Sequence, residues 1–225
     1  MQLTLGGELG HGSVRRLALR PGSPAQEGFV VRVPPRSAYE VVLDEVSGDA
    51  NGALPVALER LGADTSTVLQ AGAAVGTGRA RTLRWQNATA GSLTQMVRVR
   101  SLGCSTDCGP DDTVRLRAYD ASAAFARFNT TGDQETVVIV QNPTGGSVNG
   151  TLWFWSGGGT LLTSRPFALT ARRSLVLNVA TLLPGTSGTI TLTHDGGYGA
   201  LTGKAVAIEP ATGFSYDTPL LHRPR

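Results

Sequence analysis

Apolar and polar residues alternate in short stretches along this chain, and Gly, Pro, Asn, Asp and Ser separate the stretches. Alternating stretches spaced about ten residues apart predict β-strands joined by turns. Apart from residues 58–62, where β-alternation fits equally well, no segment repeats apolar residues with helical spacing, so we expect very little helix. The predicted strands are 13–19, 28–33, 38–46, 55–61, 79–86, 94–101 and 113–119, followed by 136–141, 150–156, 160–167, 174–179, 188–194 and 203–209.

The series of strands is interrupted once, at residues 120–124, where the sequence Asp-Ala-Ser-Ala-Ala shows no alternation. The 225 residues are enough for two domains of about 100 residues, each with its own core. We therefore predict one domain over residues 1–120 and a second over residues 125–225. The predicted fold class is all-β, with two tandem antiparallel β-sandwiches.

The composition agrees with a turn-rich β-protein, because the chain has 29 glycines and 12 prolines and only 16% of its residues are charged. The formal net charge is +3, and Lys204 is the single lysine among 20 basic residues. The arginines are scattered beside Glu and Asp, whereas a nucleic-acid surface clusters its basic residues. No apolar run approaches the roughly 18 residues that span a bilayer. We expect no nucleic-acid partner and no membrane insertion.

Both cysteines, Cys104 and Cys108, lie in the stretch GCSTDCGPDD, between the predicted strands QMVRVRS and TVRLRAY. This placement predicts a long hairpin with the cysteines in its loop. A structural zinc site needs about four ligands, and the chain adds only His11, His194 and His222. A thioredoxin-type centre needs C-x-x-C at the start of a helix. We therefore predict a disulfide, which implies an oxidising compartment; the alternative is two free thiols in a cytosolic protein.

Three aspartates, Asp107, Asp111 and Asp112, lie in and after the cysteine loop. Loop carboxylates and carbonyls are the ligands that calcium prefers, so one hypothesis is a calcium site. The alternative, which we favour, is that they are solvated turn residues around Gly-Pro. We expect no other cofactor. The sequence has no G-x-S-x-G, H-E-x-x-H or Walker motif, and we expect no enzymatic activity.

Four arginines alternate with apolar residues on the strands that flank the cysteine loop. They are Arg98, Arg100, Arg115 and Arg117. On one face of a hairpin these like charges would repel each other unless something compensates them. One hypothesis is an anion-binding strip for acidic polysaccharide or a carboxylate-rich surface. The alternative is compensation by outward-facing acids of neighbouring strands, for which the suitably placed residues are Glu40, Asp44 and Glu59.

The stretch TLWFWS places Leu152 and Phe154 on one face of a strand and Trp153 and Trp155 on the other. If the aliphatic and phenyl side chains point inward, the two indoles form a flat platform of the kind that stacks sugar rings or proline-rich chains. The alternative is that the tryptophans fill the sandwich core or the domain junction.

Three asparagines, Asn87, Asn129 and Asn149, match the N-x-Ser/Thr acceptor pattern for glycosylation. In this arginine-rich chain we interpret them as ordinary turn and strand-end residues.

The first predicted domain resembles a bacterial pre-peptidase C-terminal domain, a jelly-roll-like β-sandwich appended to many secreted hydrolases. The resemblance covers roughly residues 6–119 and rests on GELGHGSVRRLAL, GFVVRVPPRSAYEVVLDEVSGD, PVALERL, MVRVRS and DDTVRLRAY. The cysteine loop is an addition to the common pattern. Some pre-peptidase domains resemble collagen-binding modules that use calcium, but the matching ligand cluster is not found here.

The second predicted domain resembles the immunoglobulin-like modules that follow such domains in secreted bacterial proteins. The resemblance rests on FNTTGDQETVVIVQNPTGGSVNGTLWFWSGGGTLL, SLVLNVATL and SGTITLTHDGGYGALTGKAVAIEPATGFSYDTPL. It implies a secreted or surface-displayed bacterial protein with an accessory, adhesive or spacer role. We expect the export signal to lie outside this chain.

These observations lead to two functional hypotheses. The first is a non-catalytic accessory module that binds glycan or a matrix surface for adhesion or targeting. Its partners would be an extracellular polysaccharide or matrix protein and the other domains of a longer protein. The second is a structural spacer or secretion-associated tail without a ligand of its own.

Overall fold

The computed structural model describes residues 4–18, 26–47, 56–76, 79–102 and 113–225. The predicted disulfide of Cys104 and Cys108 and the aspartates Asp107, Asp111 and Asp112 lie outside the described residues. Nearly all regular structure in the described part is β-strand, and its one helix is a 3₁₀ turn at Val179–Thr181. The predicted all-β class is confirmed.

Ten strands precede residue 121: β1 (Thr4–Glu8), β2 (Ser13–Ala18), β3 (Gln26–Val33), β4 (Ser37–Ser47), β5 (Val56–Leu61), β6 (Val68–Ala71), β7 (Ala73–Ala74), β8 (Arg81–Asn87), β9 (Leu93–Ser101) and β10 (Thr113–Asp120). Nine strands follow it: β11 (Ala123–Asn129), β12 (Glu135–Gln141), β13 (Val148–Ser156), β14 (Leu161–Leu169), β15 (Ser174–Asn178), β16 (Ser187–His194), β17 (Thr202–Glu209), β18 (Phe214–Pro219) and β19 (Leu221–His222). The described chain forms two compact units. The first comprises Met1–Pro35, Tyr39–Asp120 and Arg225, and the second comprises Arg36–Ala38 and Ala121–Pro224.

The first unit is a sandwich of two five-stranded sheets. Sheet I has the order β1-β3-β9-β5-β6, and sheet II has the order β2-β10-β4-β8-β7. β1 pairs parallel with β3, whereas β9 pairs antiparallel with both β3 and β5. Alternation explains the core, because Phe29, Val31 and Val33 of β3 are fully buried while Arg32 between them faces solvent. Both sheets contribute to this core.

The predicted hairpin between the strands that flank the cysteine loop is wrong. β9 lies between β3 and β5 in sheet I, and β10 lies between β2 and β4 in sheet II. The chain therefore changes sheets between these two strands. Alternation indicates which residues of a strand face the core, but it does not indicate which strand lies beside it, because sheet partners are often distant in sequence.

The second unit is also a sandwich, with sheet III in the order β14-β13-β16-β11-β19 and sheet IV in the order β15-β12-β17-β18. Its core includes the fully buried side chains of Phe125, Leu152, Phe154 and Ile190. An immunoglobulin sandwich places its first strand beside its second and its seventh beside its sixth. Here β11 lies beside β16 and β17 lies beside β12. The strand order of the second unit thus differs from the immunoglobulin order at these two strands.

The turn Ser156-Gly-Gly-Gly159 joins β13 to β14. The two strands pair antiparallel, and Gly159 has φ +80°, a conformation that favours glycine. A second glycine is required at position 188, because the backbones of β13 and β16 approach each other closely there. A Cβ atom at Gly188 of β16 would lie 1.7 Å from the carbonyl oxygen of Trp155 on β13, so only a residue without a side chain fits there.

Gly188→Ala is therefore expected to lower the free energy of unfolding by about 2 kcal/mol, because the β13–β16 ladder must shift to admit the methyl group. Urea denaturation measures the change. Gly157→Ala is the matched control, since a Cβ atom there meets nothing within 4 Å and should leave stability within about 0.5 kcal/mol of the parent. Equal stability of the two variants would contradict the packing of these strands.

In each unit a buried asparagine ties a loop to the sandwich. The Asn87 side-chain amide donates to the carbonyls of Val33, Pro34 and Gly91 at 2.8–3.2 Å. Its Oδ1 accepts hydrogen bonds from the backbone N–H and the hydroxyl of Thr89. Asn87 is 1% exposed. The match to a glycosylation pattern is thus a match to N-x-Thr turn chemistry.

Asn142 repeats this arrangement in the second unit. Its amide donates to the carbonyls of Gly146, Leu169 and Thr170, and its Oδ1 accepts from the N–H and the hydroxyl of Thr144. In both units the threonine follows two residues after the asparagine and an accepting glycine follows four residues after it. The same short pattern therefore fixes one loop in each sandwich.

Candidate functional site

Arg98 and Arg100 lie on the outer face of sheet I and share one carboxylate. Val97 and Val99 of β9 are buried in the core, so the arginines that alternate with them point outward. Glu59 of β5 lies directly opposite Arg98. Its Oε2 accepts a hydrogen bond from Arg98 Nε at 2.8 Å, and its Oε1 accepts one from Arg100 Nη2 at 3.0 Å. We call Arg98, Glu59 and Arg100 clamp I.

Glu59 is a buried, ionised carboxylate. Its side chain is 9% exposed, and that of Arg98 is 15% exposed. Burial by itself raises the pKa of the Glu59 carboxyl, but the hydrogen bonds and charges of Arg100 and Arg98 outweigh burial and hold that pKa below its ordinary value of 4.5. Near neutral pH the carboxylate therefore balances one of the two arginine charges.

Arg115 and Arg117 form the equivalent arrangement on sheet II. They alternate along β10 with core residues, and Asp44 of β4 lies opposite Arg115. Arg115 Nε donates to Asp44 Oδ1 at 3.0 Å, and Arg117 Nη2 donates to Asp44 Oδ2. Burial lowers the pKa of Arg117, but the hydrogen bond and charge of Asp44 outweigh burial and raise that pKa above its ordinary value. We call Arg115, Asp44 and Arg117 clamp II.

The four arginines of the predicted strip do not share one face. Two lie on sheet I and two on sheet II, because β9 and β10 belong to different sheets. Two of the acids named in the alternative hypothesis pair with these arginines: Glu59 in clamp I and Asp44 in clamp II. Glu40 instead accepts hydrogen bonds from Arg84 Nε at 2.7 Å and from Thr82 Oγ1 at 3.0 Å. Each clamp has two positive charges and one negative charge.

The tryptophan pair lies on the outer face of sheet III and is covered. Leu152 and Phe154 are fully buried, as the alternation predicts, so Trp153 and Trp155 point away from the core. Trp153 is nevertheless only 8% exposed. The guanidinium carbon of Arg36 lies 5.5 Å from the Trp153 ring centroid and 5.3 Å from the Trp155 ring centroid, within the range of cation–π contact. These rings do not form an open platform for sugar stacking.

Hydrogen bonds hold both indoles against the sheet. Trp153 Nε1 donates to Thr193 Oγ1 at 3.1 Å, and Trp155 Nε1 donates to Thr191 Oγ1 at 2.8 Å. These threonines belong to β16, the neighbour of β13. The threonine hydroxyls therefore fix both ring orientations.

Fluorescence quenching by acrylamide is expected to be weak in the native chain and strong after denaturation in guanidinium. The third tryptophan, Trp85, is 6% exposed, so two of the three indoles are buried and Trp155 is partly buried under Arg36. A neutral quencher is needed because the Arg36 guanidinium would attract iodide. Arg36→Ala should increase quenching, since it uncovers Trp153 and Trp155. Native quenching as strong as that of the denatured chain would contradict the shielding.

Two exposed aromatic side chains lie on β18, a strand that was not predicted from the sequence. Phe214 is 65% exposed and Tyr216 is 43% exposed, and their ring centroids lie 6.5 Å apart. The signal for them is the alternation F-S-Y directly after the turn at Gly213, which has φ +72°. Exposed large aromatic residues that lie close together are typical of interaction surfaces.

Among the described residues, no group of three or more His, Cys, Asp or Glu side chains is placed to hold a metal ion. The hypothetical calcium ligands Asp107, Asp111 and Asp112 lie outside those residues. No helix in the described ranges is long and apolar enough to cross a membrane.

Comparisons with known proteins find likenesses of structure at low similarity. No family model and no curated protein matches the sequence. The pre-peptidase C-terminal domain of a collagenase from Bacillus anthracis is 12% identical, with a TM-score of 0.39 over 52% of this chain and 97% of that chain. A β-glucuronidase from Bacteroides uniformis is 12% identical, with a TM-score of 0.19 over 92% of this chain. A glycosyl hydrolase family 2 member from Bacteroides cellulosilyticus is 9% identical, with a TM-score of 0.21 over 86% of this chain. The chain covers 25% and 27% of the lengths of these two glycosidase chains.

Proposed function

We propose that this chain is a non-catalytic, structural part of an exported bacterial protein, and that its two sandwiches separate other domains of that protein. The observation that carries the proposal is that the arginines of both clamps are already hydrogen-bonded within the chain. In both clamps, an acid of the neighbouring strand already accepts the guanidinium hydrogen bonds. The sequence resemblance of the first unit to pre-peptidase C-terminal domains supports the accessory role.

The clamp geometry disfavours an anion site for a physical reason. An incoming sulfate or carboxylate must compete with a carboxylate that is fixed by the sheet and needs no further ordering. In clamp I the competing Glu59 is buried beside Arg98. Displacing it would leave a buried charge without its partners, which is strongly unfavourable.

The second candidate function is a module that binds glycan or a matrix surface for adhesion or targeting. One observation favours it: Arg100 remains 40% exposed, and in clamp I two arginine charges share one carboxylate. An acidic polysaccharide could contact these charges without displacing the clamp acids.

Co-sedimentation with chitin, cellulose, peptidoglycan, alginate and collagen, with and without calcium, distinguishes the two candidates. We expect no saturable retention on any matrix. Saturable retention that is lost in the Arg98→Ala/Arg115→Ala double variant would overturn the structural proposal in favour of the binding module. Retention that requires calcium would direct attention to Asp107, Asp111 and Asp112.

The proposal includes export and a disulfide between Cys104 and Cys108, which would persist in an oxidising compartment. Thiol titration of the denatured, unreduced chain is expected to find no free thiol. Two free thiols would remove this support for export.

A further inference from the structure

We infer that β18 is the edge through which two copies of this chain pair, as antiparallel strands of one continuous sheet. β18 is the last strand in the order of sheet IV, where it pairs with β17. An edge strand has a row of unpaired backbone N–H and C=O groups, and another extended strand is the partner that satisfies them. This inference concerns self-association and does not depend on the proposed function.

The ladder with β17 indicates which groups face the open edge. The Leu220 N–H donates to the Gly203 carbonyl at 2.9 Å, and the register of the strand pair continues from these two residues. Hydrogen-bonded and non-hydrogen-bonded pairs alternate in an antiparallel ladder. The residues whose backbone groups bond to β17 are therefore Phe214, Tyr216 and Thr218. The backbone groups of Ser215 and Asp217 point outward.

β18 lacks the protective features of two other edges of the described sheets, those formed by β14 and β2. β14, at the edge of sheet III, contains Pro166, and β2, at the edge of sheet II, contains the adjacent charges Arg15 and Arg16. Prolines, charges and bulges are the usual devices that keep edges from pairing. β18 has no proline before its last residue, and its register with β17 is continuous. Its residues 214–217 are all exposed.

One two-fold register allows the outward backbone groups of β18 to pair in both copies. With Tyr216 opposite Tyr216 of the second copy, Ser215 lies opposite Asp217, and the outward groups of both copies form four backbone hydrogen bonds. Placing Ser215 opposite itself would put Asp217 opposite Gly213, which lies in the turn outside β18. Placing Asp217 opposite itself would bring two carboxylates together, which is destabilising.

The side chains suit this register on both faces of the sheet. On one face the exposed ring of Tyr216 meets its own copy, and the Phe214 ring covers Thr218 of the second copy; cross-strand aromatic contacts stabilise antiparallel pairs. On the other face the Ser215 hydroxyl meets Asp217. The Asp217 carboxylate is already balanced by Lys204 Nζ at 2.7 Å. The arrangement is therefore self-complementary, as a two-fold interface requires.

Sedimentation velocity of the full chain over a concentration series tests the pairing. The parent chain is expected to shift from monomer to dimer as its concentration rises. Ser215→Pro removes an outward N–H without breaking a bond to β17, and it places the proline ring on the open edge. Because two backbone hydrogen bonds per dimer are lost, the dissociation constant should rise at least about tenfold. Ser215→Ala keeps the backbone groups and should dimerise like the parent.

A cysteine tests the register. In the inferred pair, residue 216 faces its own copy in a non-hydrogen-bonded pair with Cα atoms about 4.5 Å apart, which is within the range of a disulfide. Tyr216→Cys should therefore form a covalent dimer on air oxidation, detected on a non-reducing gel. The parent chain controls for the two native cysteines, and adding Ser215→Pro should abolish the cross-link.

The inference is overturned if the parent chain stays monomeric at every concentration, if Ser215→Pro dimerises like the parent, or if Tyr216→Cys fails to cross-link. Circular dichroism checks that Ser215→Pro is folded. If it is not, Tyr216→Lys replaces it, because this change on an exposed side chain places like charges opposite each other. Tyr216→Lys is expected to be monomeric, and a dimer of unchanged affinity would overturn the inference equally.

Discussion

Asn142→Asp is expected to lower the free energy of unfolding by about 4 kcal/mol at neutral pH. Asn142 is completely buried, and its amide donates to the carbonyls of Gly146, Leu169 and Thr170 at 2.7–3.1 Å. Aspartate has nearly the same shape but no amide donors. The substitution therefore removes three hydrogen bonds, takes this donor from the carbonyl of the buried Leu169, and introduces a buried negative charge.

Urea denaturation of the parent and variant chains measures this change. Gln141→Glu is the matched control, because it makes the same amide-to-carboxylate change at the adjacent, exposed position. The control should remain within about 0.5 kcal/mol of the parent. If the two variants were equally stable, the buried asparagine could not tie its loop to the second sandwich as described.

Glu59→Gln is expected to lower the free energy of unfolding by about 3 kcal/mol, because it leaves the charges of Arg98 and Arg100 without their carboxylate. Arg98 is only 15% exposed, so water cannot fully replace the lost partner. Arg100 is 40% exposed, which keeps the effect below that of a fully buried pair. The same variant should bind heparin more tightly than the parent chain, because the two arginines are free to contact sulfate.

The control for both readouts is Glu8→Gln, which makes the same change of charge in the exposed ion pair with Arg32. The two side chains of that pair are 71% and 50% exposed, and such pairs contribute about 0–1 kcal/mol. Glu8→Gln should therefore have little effect on stability or on heparin retention. Equal heparin retention by the two variants would mean that net charge, and not the opening of clamp I, controls binding.

Clamp I also predicts a specific loss of stability in acid. Because arginine contacts hold the folded pKa of Glu59 below its ordinary value of 4.5, the unfolded chain binds this proton more readily than the folded chain. The stabilisation is fully present above pH 4.5 and is lost as the pH falls through the lowered folded pKa. Glu59→Gln should consequently show a smaller decline in stability below pH 4.5 than the parent, in denaturation experiments at a series of pH values.

The sequence predicts well what depends on alternation within one strand. Val97 and Val99 are core residues, and Leu152 and Phe154 are buried, because a period of two determines which side chains face inward. Glu59 could be named as a compensating acid for the same reason. Alternation does not predict which strands lie beside each other in a sheet. The hairpin prediction failed because β9 and β10 belong to different sheets, and local alternation does not contain that information.

Other features were missed because their local signals are weak or ambiguous. β11 begins at Ala123, within the stretch 120–124 that was interpreted as a break, because small residues hide the alternation. Asn142 has the same short pattern of following Thr and Gly residues as Asn87, but only the folded chain brings Leu169 to its amide. Arg36 covers Trp153 from a distant part of the sequence, so exposure of the tryptophan pair could not be predicted from its own strand.

The central claim is that acids of the same chain already accept hydrogen bonds from the arginines of both clamps. A pH titration of the Glu59 side-chain carboxyl by ¹³C NMR tests this claim most directly, with Glu59→Gln used to assign the resonance. The account predicts a pKa below the ordinary value of 4.5, because the ionised form is held by Arg98 and Arg100. A pKa at or above 4.5 would contradict clamp I and would return these arginines to the list of groups free to bind an anionic ligand.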